Sequence, residues 1–286
     1  MKGVILTAGA GSRMRPLTDF VCKPLLPVYD KPMLYYPLTT LINAGIKDVM
    51  IVVTPQDAPA IQRTIGDGSR WGMNIQYAVQ QEPKGPLEAV LLAEPFIAGD
   101  SCTLIFGDNI FVSDSLSANM TSTLHTGATI FGMAVSDPER FGVIEFEAGS
   151  DRVTGLEEKP QQPKSNMASV GLYTYDHELF DRMSHIQVSP RGEREIVDLN
   201  SSYMRDGLLS YKALAAEDHW LDAGLFESMY EASGLVRALQ QKGRVIGSPE
   251  LAAFKQGWID QKQMAWFVDR YRKNTYGQML EALQGV

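Results

Sequence analysis

The feature that most constrains this chain is a run of small and basic residues directly after its first apolar segment. Residues 4–6 (VIL) predict a buried strand, and residues 8–12 (AGAGS) then supply a backbone without bulky side chains. Such a backbone can approach a ligand closely and direct its N–H groups toward it. A small-residue turn with many cations after a strand is suited to a polyphosphate. The cations on this connection are Arg13, Arg15, Lys23 and Lys31.

Two common phosphate-binding loops do not fit this stretch. The dinucleotide-binding pattern G-x-G-x-x-G starts at Gly9 and Gly11, but its third glycine would fall on Met14. The P-loop pattern of nucleoside triphosphatases needs Gly-Lys-Ser/Thr after four free positions, and no such run follows here. Two alternatives remain, a glycine turn beside a solvated Arg13 or a nucleotide site of a third kind. The second alternative is our working hypothesis.

Composition and charge argue against several classes of protein. The chain has 286 residues, 44% hydrophobic and 21% charged, which is ordinary for a globular protein with a large core. Its net charge of −8 argues against a nucleic-acid partner, so an anionic ligand must be held by a few placed cations. Cys22 and Cys102, the only cysteines, favour a reducing compartment over a disulfide framework. Since the sequence contains no membrane-spanning apolar run and no signal peptide, we expect a soluble cytoplasmic protein without a membrane partner.

Strands and helices alternate along the first half of the chain. The strand at 48–54 is almost wholly apolar, as expected where both faces of a sheet are covered. Such alternation predicts a mainly parallel sheet with right-handed crossovers, and ligands on these sheets bind at the carboxyl ends of strands. The predicted strands are 2–7, 48–54, 73–80 and 101–106. The predicted helices are 32–44, with Pro32 in its first turn, 56–65 and 87–94.

The second half is richer in strands, and the end of the chain is helical. Strands are predicted at 128–135, 142–147, 152–157, 168–175 and 209–215. Helices are predicted at 177–183, 192–204, after Asp222 to about 241, and at 249–256, 260–271 and 276–283. The predicted fold class is α/β, a Rossmann-like, mainly parallel mixed sheet flanked by helices, with a β-rich subdomain and a C-terminal helical extension. We divide it into a core at 1–240, with halves at about 1–110 and 111–240, and an extension at 241–286.

Two aspartates stand at strand ends beside small residues. Asp108 follows Gly107 after an apolar strand, and Asp222 precedes Ala223 and Gly224. Two such carboxylates can hold one Mg²⁺, a hard cation usually bound by one or two protein carboxylates together with phosphate oxygens. For either aspartate alone, a role in a turn or helix cap explains the pattern equally well. The four histidines have no metal-ligand spacing, so a zinc site is not expected.

Two further cations stand at predicted element ends in the second half. Lys159 ends a strand within EEKP (157–160), where the proline stops the ladder. Arg191 lies at the predicted start of the helix at 192–204 and can grip a phosphate in bidentate fashion. In isolation, the first is more typical of an exposed strand end and the second of an ordinary surface arginine.

Together these segments resemble a known enzyme family, because their order and spacing are far more specific than any one of them. They are GxGSRMRP (9–16) with Lys23, FGDN (106–109), EEKP (157–160), WLDAG (220–224), YDKPMLYYPL (29–38), TPQD (54–57), IGDGSRWG (65–72), DPERFGVIEF (137–146), EEKPQQPKSN (157–166), RGEREIVD (191–198) and the tail at 249–278. Over essentially its whole length the chain resembles the sugar-nucleotide pyrophosphorylases. Among them it looks most like the short tetrameric glucose-1-phosphate thymidylyltransferases.

The resemblance implies a reaction of deoxythymidine triphosphate (dTTP) with glucose 1-phosphate to give dTDP-glucose and pyrophosphate, with Mg²⁺ as cofactor. Arg13 would hold the departing phosphates, and Lys23 would neutralise the α-phosphate together with Mg²⁺ on Asp108 and Asp222. The implied catalytic residues are Arg13, Lys23, Asp108, Lys159 and Asp222. The implied nucleotide-binding residues are Leu6, Ala8, Gly9, Gly11, Ser12, Arg13, Gln80 (which would read the base), Pro83, Gly85 and Asp108. The implied sugar-phosphate-binding residues are Asn109, Gly142, Glu158, Lys159, Val170 and Arg191.

The chain departs from the usual family pattern in four loops. Pro24 replaces glutamine after Lys23, Phe141 replaces tyrosine before Gly142, and the segments at 85–88 and 222–225 read GPLE and DAGL instead of GLAQ and DTGT. Glu88 adds a negative charge near the base or ribose. Because one methyl group separates thymine from uracil, an apolar pocket discriminates them only about 10- to 200-fold. Two alternatives therefore stay open: a uridylyltransferase or an enzyme for another sugar 1-phosphate, and a catalytically weak nucleotide-sugar-binding regulator.

The helical extension is best explained by assembly. Its aromatic residues, Trp258, Trp266, Phe267 and Tyr271, lie too far along the chain to belong to the first sheet, although an ordinary core role stays open. The resemblance implies a homotetramer with a regulatory nucleotide-sugar site between subunits.

Overall fold

The computed structural model describes residues 1–9, 11–82, 84–122 and 126–283. In these residues a central mixed sheet lies between two layers of helices, each with its own apolar core. The predicted α/β fold class, with helices flanking a mixed sheet, is confirmed. No helix in the described ranges has the length and apolar character needed to span a lipid bilayer.

Strands and α-helices alternate through most of the first half of the chain, and the second half is richer in strands, as the sequence predicts. The strands are β1 (Lys2–Leu6), β2 (Pro27–Val28), β3 (Lys31–Pro32), β4 (Asp48–Val53), β5 (Asn74–Val79), β6 (Cys102–Phe106), β7 (Asn109–Val112), β8 (Ala128–Ala134), β9 (Gly142–Phe146), β10 (Val153–Glu158), β11 (Met167–Tyr175), β12 (Leu209–Ala213) and β13 (His219–Asp222). The α-helices are α1 (Tyr35–Asn43), α2 (Ala58–Ile65), α3 (Pro86–Leu91), α4 (Glu94–Ile97), α5 (Leu116–Thr121), α6 (Leu179–Met183), α7 (Ile196–Arg205), α8 (Phe226–Gln241), α9 (Pro249–Lys255), α10 (Gln261–Tyr271) and α11 (Thr275–Leu283).

Within the described residues, nine strands form one sheet with a parallel half and a largely antiparallel half. In the first half β5, β4, β1 and β6 pair in parallel, so the carboxyl ends of β1 and β6 lie side by side. In the second half β11 pairs antiparallel with β6, β8 and β9. One edge of β11 pairs first with β9 and then with β6, and Gly171 lies where the partner changes. Because β6 and β11 pair directly, the two halves share a sheet, and the predicted division at about 110 stays a prediction.

A separate two-stranded sheet brings distant parts of the chain together at the carboxyl end of β6. β7 follows β6 directly and pairs antiparallel with β13, with Asn109 opposite Asp222. The backbone at Gly107 approaches β1 so closely that only glycine fits, because a Cβ there would lie 2.6 Å from Thr7 Cγ2 and 3.0 Å from the Leu6 carbonyl oxygen. This pairing carries Asp222 to the end of β6, next to Asp108.

The helical extension is part of the first-half core. Phe267 of α10 and Leu280 of α11 are fully buried in the same apolar cluster as Leu38 of α1 and Ile51 of β4. Trp258 and Tyr271 pack against that cluster, whereas Trp266 is about half exposed. Their late position in the chain therefore does not separate these aromatics from the core beneath the first sheet, because α9 packs against α1 and α10 packs against α9.

Three predicted helix boundaries are wrong, each for a local reason. The predicted helix 32–44 begins only at Tyr35, because Pro32 pairs with Pro27 in a short hairpin. The predicted helix 87–94 ends at Leu91, and a separate short helix begins at Glu94 with Pro95 in its first turn, where proline is favoured.

The predicted helix at 192–204 also begins later, at Ile196. Gly192 adopts a φ of +82°, which belongs to a turn rather than a helix. The Ser189 N–H donates to the Glu193 carbonyl and the Gly192 N–H to the Ser189 carbonyl. Arg191 therefore lies in a closed turn before α7 and not at a helix N-terminus.

Candidate active site

A cavity of about 570 Å³ opens at the carboxyl ends of β1 and β6. It lies between the first-half loops and the second-half strands, as expected for ligand sites on sheets of this type. Among the predicted site residues, the ones that line it are Leu6, Ala8, Gly9, Arg13, Lys23, Gln80, Gly85, Asp108, Asn109, Gly142, Glu158, Lys159, Arg191 and Asp222. Gly11, Ser12 and Val170 are not among the lining residues, and Pro83 lies outside the described residues.

Asp108 is held by two neighbours that favour its charged form. The Lys23 ammonium forms an ion pair with Asp108 Oδ2, and Asn109 Nδ2 donates to Asp108 Oδ1 at 2.9 Å. Burial by itself would raise the pKa of Asp108, but Lys23 and Asn109 outweigh it and hold the pKa below its ordinary value of 3.8. Asp108 is therefore a carboxylate at neutral pH.

Asp222 experiences the opposite balance. Burial and the neighbouring Asp108 charge raise its pKa above the ordinary 3.8, although Lys23, Arg13 and Arg140 act in the other direction. Arg140 Nη2 lies 3.8 Å from Asp222 Oδ2. Arg13 is also close, since a Cβ on Gly224 would lie 2.9 Å from Asp222 Oδ1 and 3.3 Å from Arg13 Nη2. The backbone at Gly224 thus lies close to both side chains, and a side chain there would intrude on them.

The two aspartates fit a divalent cation. Their side chains are about one fifth exposed and face the same cavity, and a cation between them would relieve the repulsion that raises the pKa of Asp222. In the described residues no group of three or more His, Cys, Asp or Glu side chains could hold a metal. A hard cation such as Mg²⁺, completed by phosphate oxygens and water, is suited to such a two-carboxylate site.

Asn109 connects this carboxylate pair to the second half of the sheet. Its Oδ1 accepts from Trp220 Nε1 at 2.6 Å and from the Gly171 N–H at 3.2 Å, while its Nδ2 donates to Asp108. The amide, which is 2% exposed, already has partners for both its oxygen and its nitrogen. Asn109 thus orients its neighbours through these contacts, and its predicted contact with the sugar phosphate stays a prediction.

On the nucleotide side, Gln80 lies at the end of β5 and its Nε2 donates to the Gly85 carbonyl at 3.3 Å. The backbone at Gly85 has a φ of +98°, and a Cβ there would lie 3.0 Å from the Cβ of Glu193. The Glu88 carboxylate forms an ion pair with Arg194, since it lies 3.4 Å from Arg194 Nη1. Its negative charge is therefore not left without a partner. The loop at 85–88 therefore contacts the segment before α7 directly.

On the sugar side, two cations share one carboxylate. Lys159 Nζ lies 3.3 Å and Arg191 Nη1 3.4 Å from Glu158 Oε1. Arg191 also lies 3.4 Å from Glu195 Oε1, whose carboxylate accepts from the Ser189 hydroxyl at 3.0 Å. Glu195 is buried and keeps Arg191 at the cavity wall, whereas Glu158 is the more exposed partner.

Val170, one of the predicted sugar-binding residues, has its side chain on the core face of β11. Its side chain is fully buried in the first-half apolar cluster with Leu172. Because side chains alternate along a strand, the residues of β11 that line the cavity are Ser169, Gly171 and Tyr173. The Val170 side chain therefore points away from the cavity, and its predicted contact with the sugar stays a prediction.

Sequence reasoning also missed residues that the structure brings into the cavity. Arg140 lines the cavity, forms an ion pair with Asp137 and lies over the ring of Phe141, which contacts Trp220 edge to face. The sequence signal for Arg140 was its position two residues before Gly142, a predicted site residue at the start of β9. Glu195 could have been found as an acidic residue directly before an apolar helical segment. Nothing in the sequence alone indicated Ser169.

Comparisons with known proteins agree with this geometry. The nucleotidyl transferase family profile matches residues 2–238. The chain is 44% identical to the glucose-1-phosphate thymidylyltransferase of Xanthomonas campestris pv. campestris, over 99% of this chain and 96% of that protein. The enzyme of the same name from Mycolicibacterium smegmatis is also 44% identical, over 98% of both chains.

Two solved structures share the fold of this chain. A Bacillus anthracis protein described as a glucose-1-phosphate thymidylyltransferase, crystallised with sucrose, has a TM-score of 0.77 and 36% identity, over 83% of this chain and 95% of its own. An apo UDP-glucose pyrophosphorylase shares the fold at a TM-score of 0.70 and 20% identity, over 84% of this chain and 99% of its own. This chain belongs to the nucleotidyl transferase family, among the glucose-1-phosphate thymidylyltransferases.

Proposed function

We propose that this enzyme joins dTTP and α-D-glucose 1-phosphate to give dTDP-glucose and pyrophosphate. An oxygen of the sugar phosphate attacks the α-phosphorus of dTTP, and the bond from that phosphorus to the bridging oxygen of the β-phosphate breaks. The electron pair leaves with pyrophosphate. Because the attacking oxygen is already ionised at neutral pH, no general base is required, and catalysis rests on positioning and charge neutralisation.

The observation that carries this proposal is the convergence of opposite charges at the end of β6. Lys23, Asp108 and Asp222 lie together there, and Arg13 is close to Asp222. In the proposed roles, Arg13 binds the departing β- and γ-phosphates and Lys23 the α-phosphate. Lys159 and Arg191 bind the sugar phosphate, on the opposite wall.

Mg²⁺ held by Asp108 and Asp222 would supply neutralisation of the phosphate charge that develops during the displacement. The protein's own contribution is to keep Asp108 ionised, through Lys23 and Asn109, and to keep Asp222 within reach through the pairing of β7 with β13. We expect chelation with EDTA to stop pyrophosphate release and added Mg²⁺ to restore it.

A panel assay tests the proposal and its alternatives. Pyrophosphate release is measured for dTTP, UTP, CTP, ATP and GTP, each with glucose, galactose, mannose and N-acetylglucosamine 1-phosphates. The proposal predicts the highest kcat/KM for dTTP with glucose 1-phosphate, and use of UTP within about 200-fold because one methyl group separates the bases. Preference for another pair would favour a related enzyme. Binding of dTDP-glucose without turnover of any pair would favour a regulator.

The extension is proposed to serve assembly and regulation. A second cavity of about 550 Å³ lies between α1, β7 and the start of the extension, and Lys242, Arg244 and Lys255 contribute to its lining. Arg244 pairs there with Asp114, and Lys242 and Lys255 add two further cations, which suits a phosphorylated effector such as a nucleotide sugar. A homotetramer and a cytoplasmic location remain predictions from the sequence. Analytical ultracentrifugation tests the tetramer, and loss of product inhibition in Arg244→Glu tests the regulatory role.

A further inference from the structure

β11 presents a polar side chain to the cavity that the proposed mechanism does not use. Ser169 lies on the cavity face of this strand, two positions before Gly171. It is 8% exposed. Its neighbours across the sheet are set by strand register, since Ser169 pairs with Gly142 of β9, and Gly142 pairs with Glu158 of β10. Directly paired residues share a face of the sheet, so Ser169 and Glu158 flank Gly142 on the cavity side.

The absence of a side chain at Gly142 leaves a gap between these two polar groups. A Cβ at Gly142 would lie 3.3 Å from Glu158 Oε2, 3.7 Å from the Cβ of Ser169 and 3.1 Å from Val197 Cγ2. The gap therefore has a carboxylate on one side, a hydroxymethyl group on the other and an apolar methyl at its back. These are the surroundings that suit a sugar ring, which has hydroxyl groups at its edge and C–H groups on its face.

The Ser169 hydroxyl has no hydrogen-bond partner among the described residues. A nearby polar group is the phenol of Tyr173, whose pKa is raised by burial and partly lowered by Ser169. The distance and angle between the two hydroxyls are not those of a normal hydrogen bond. A buried hydroxyl without a partner is unfavourable, and such groups normally find a partner in protein, water or ligand. Here the free hydroxyl lies at a cavity wall beside the gap.

We propose that Ser169 is a specificity-determining residue that hydrogen-bonds one ring or hydroxymethyl hydroxyl of the hexose, on the side of Gly142 opposite to Glu158. This inference rests on the proposed function, since it assigns a sugar contact within the same cavity. A serine hydroxyl can donate and accept together, so it matches a sugar hydroxyl, which can do the same. The contact would favour hexose 1-phosphates over the analogue that lacks this hydroxyl.

The test combines one substitution with a series of substrates. kcat/KM is measured for wild type and Ser169→Ala with dTTP and either glucose 1-phosphate or its 2-, 3-, 4- and 6-deoxy analogues. We expect Ser169→Ala to lose about tenfold with glucose 1-phosphate, the scale of one hydrogen bond between buried neutral groups. With the one analogue that lacks the contacted hydroxyl, we expect a loss below about twofold, since neither partner is then left unpaired.

Two controls separate this role from a structural one. Ser210→Ala makes the same change on an exposed residue of β12, in the same sheet, and should leave all five kcat/KM values unchanged. Thermal unfolding midpoints show whether Ser169→Ala retains its fold. Equal losses of Ser169→Ala with all five sugars, or no loss with any, would overturn the inference and indicate that water satisfies the hydroxyl.

Failure of the proposed function gives a different result. In that case wild type would release no pyrophosphate from dTTP with any of the sugars. Calorimetric titration with glucose 1-phosphate alone then still tests Ser169. Binding about tenfold weaker in Ser169→Ala than in Ser210→Ala supports the contact, and equal affinities, or no binding to either variant, contradict it.

Discussion

At the residue scale, cations and carboxylates are paired throughout the cavity. Lys23 pairs with Asp108, and Lys159 and Arg191 share Glu158. Pairing of this kind keeps side chains oriented at a partly solvated site, and it makes the effect of each substitution depend on the partner left behind. Substitutions of the carboxylates and of the cations therefore test different parts of the proposed mechanism.

We expect Asp108→Asn and Arg13→Ala each to lower kcat at least about 100-fold, the scale of losing one charge contact made in the transition state. Asparagine keeps the size of the side chain but removes the charge that pairs with Lys23 and would hold Mg²⁺. Steady-state pyrophosphate release measures kcat. The control is Asp181→Asn, an exposed carboxylate on α6 outside the cavity. A loss below about fivefold in either variant would count against its assigned role.

Glu195→Gln should raise KM for glucose 1-phosphate about tenfold while KM for dTTP stays unchanged. Glu195 contacts Arg191 and Ser189 from behind the cavity wall, so its loss frees Arg191 to move. In metal sites, partners behind the ligating side chains contribute about 10- to 100-fold, and we expect the low end here. Asp198→Asn, which removes an exposed carboxylate from the first turn of the same helix, is the matched control. Equal changes in both KM values would point to a general structural role.

At the element scale, β11 joins the two halves of the site. Its first residues pair with β9 of the sugar side, and its last residues pair with β6, which ends at Asp108. Gly171 lies at the change of partner, where a Cβ would approach Phe106 Cδ2 to 2.5 Å and Asn109 Oδ1 to 2.7 Å. Real Cβ contacts are not this short, so any side chain at this position must push the two strands or Asn109 away.

Gly171→Ala is therefore expected to destabilise the protein by about 1–3 kcal/mol, the usual cost of overpacking. It should also lower kcat, since Asn109 orients Asp108. Gly234→Ala is the control, because a Cβ at Gly234 in α8 meets nothing within 4 Å. There the same substitution should stabilise by up to about 1 kcal/mol through helix propensity. Urea unfolding measures the free energy of unfolding of both variants. Changes of the same sign in the two variants would contradict this account.

At the scale of the whole molecule, the extension is anchored by a buried polar cluster. Glu250 at the start of α9 is fully buried and accepts from the Tyr276 hydroxyl of α11 at 2.6 Å. Lys31, also buried, interacts with Asp30 and lies over the Tyr276 ring. The loop that continues from Lys23 thus contacts the end of the chain. The charged and titratable groups that influence Glu250, or that it influences, are Lys31, Tyr35, Arg70, Tyr271 and Tyr276.

Burial raises the pKa of Glu250 above its ordinary 4.5, despite hydrogen bonds and Arg70 that act the other way. The folded protein therefore binds a proton that the unfolded chain releases near 4.5. The resulting stability is complete below that pH and is lost as the pH rises toward the folded pKa. Glu250→Gln keeps the hydrogen bonds of the neutral acid, so its Tm relative to wild type should rise between pH 5 and 8.

Thermal unfolding across that range measures the effect. Asp260→Asn changes an exposed N-cap carboxylate of α10 in the same extension, and its Tm difference from wild type should vary less with pH. A Tm difference for Glu250→Gln that stays constant from pH 5 to 8 would contradict the raised pKa.

The elements were largely predictable from the sequence because apolar runs and turn residues act locally. The errors in helix starts lie where another short-range contact overrides the helical pattern, as in the hairpin that holds Pro32 against Pro27 and the turn at Gly192. Distant packing was harder to predict, since nothing in the sequence around Phe267 indicates that it shares an apolar cluster with Leu38 of α1.

The sequence by itself determined the chemical types available to the site: a small-residue turn, cations on both sides and two aspartates at strand ends. Only the tertiary structure decided which of them meet and which face they occupy. It carried Asp222 to Asp108 through the pairing of β7 with β13, and it set Ser169 toward the cavity and Val170 toward the core. The physical reason is that composition and spacing act through local backbone geometry, whereas register and long-range pairing depend on the packing of the whole sheet.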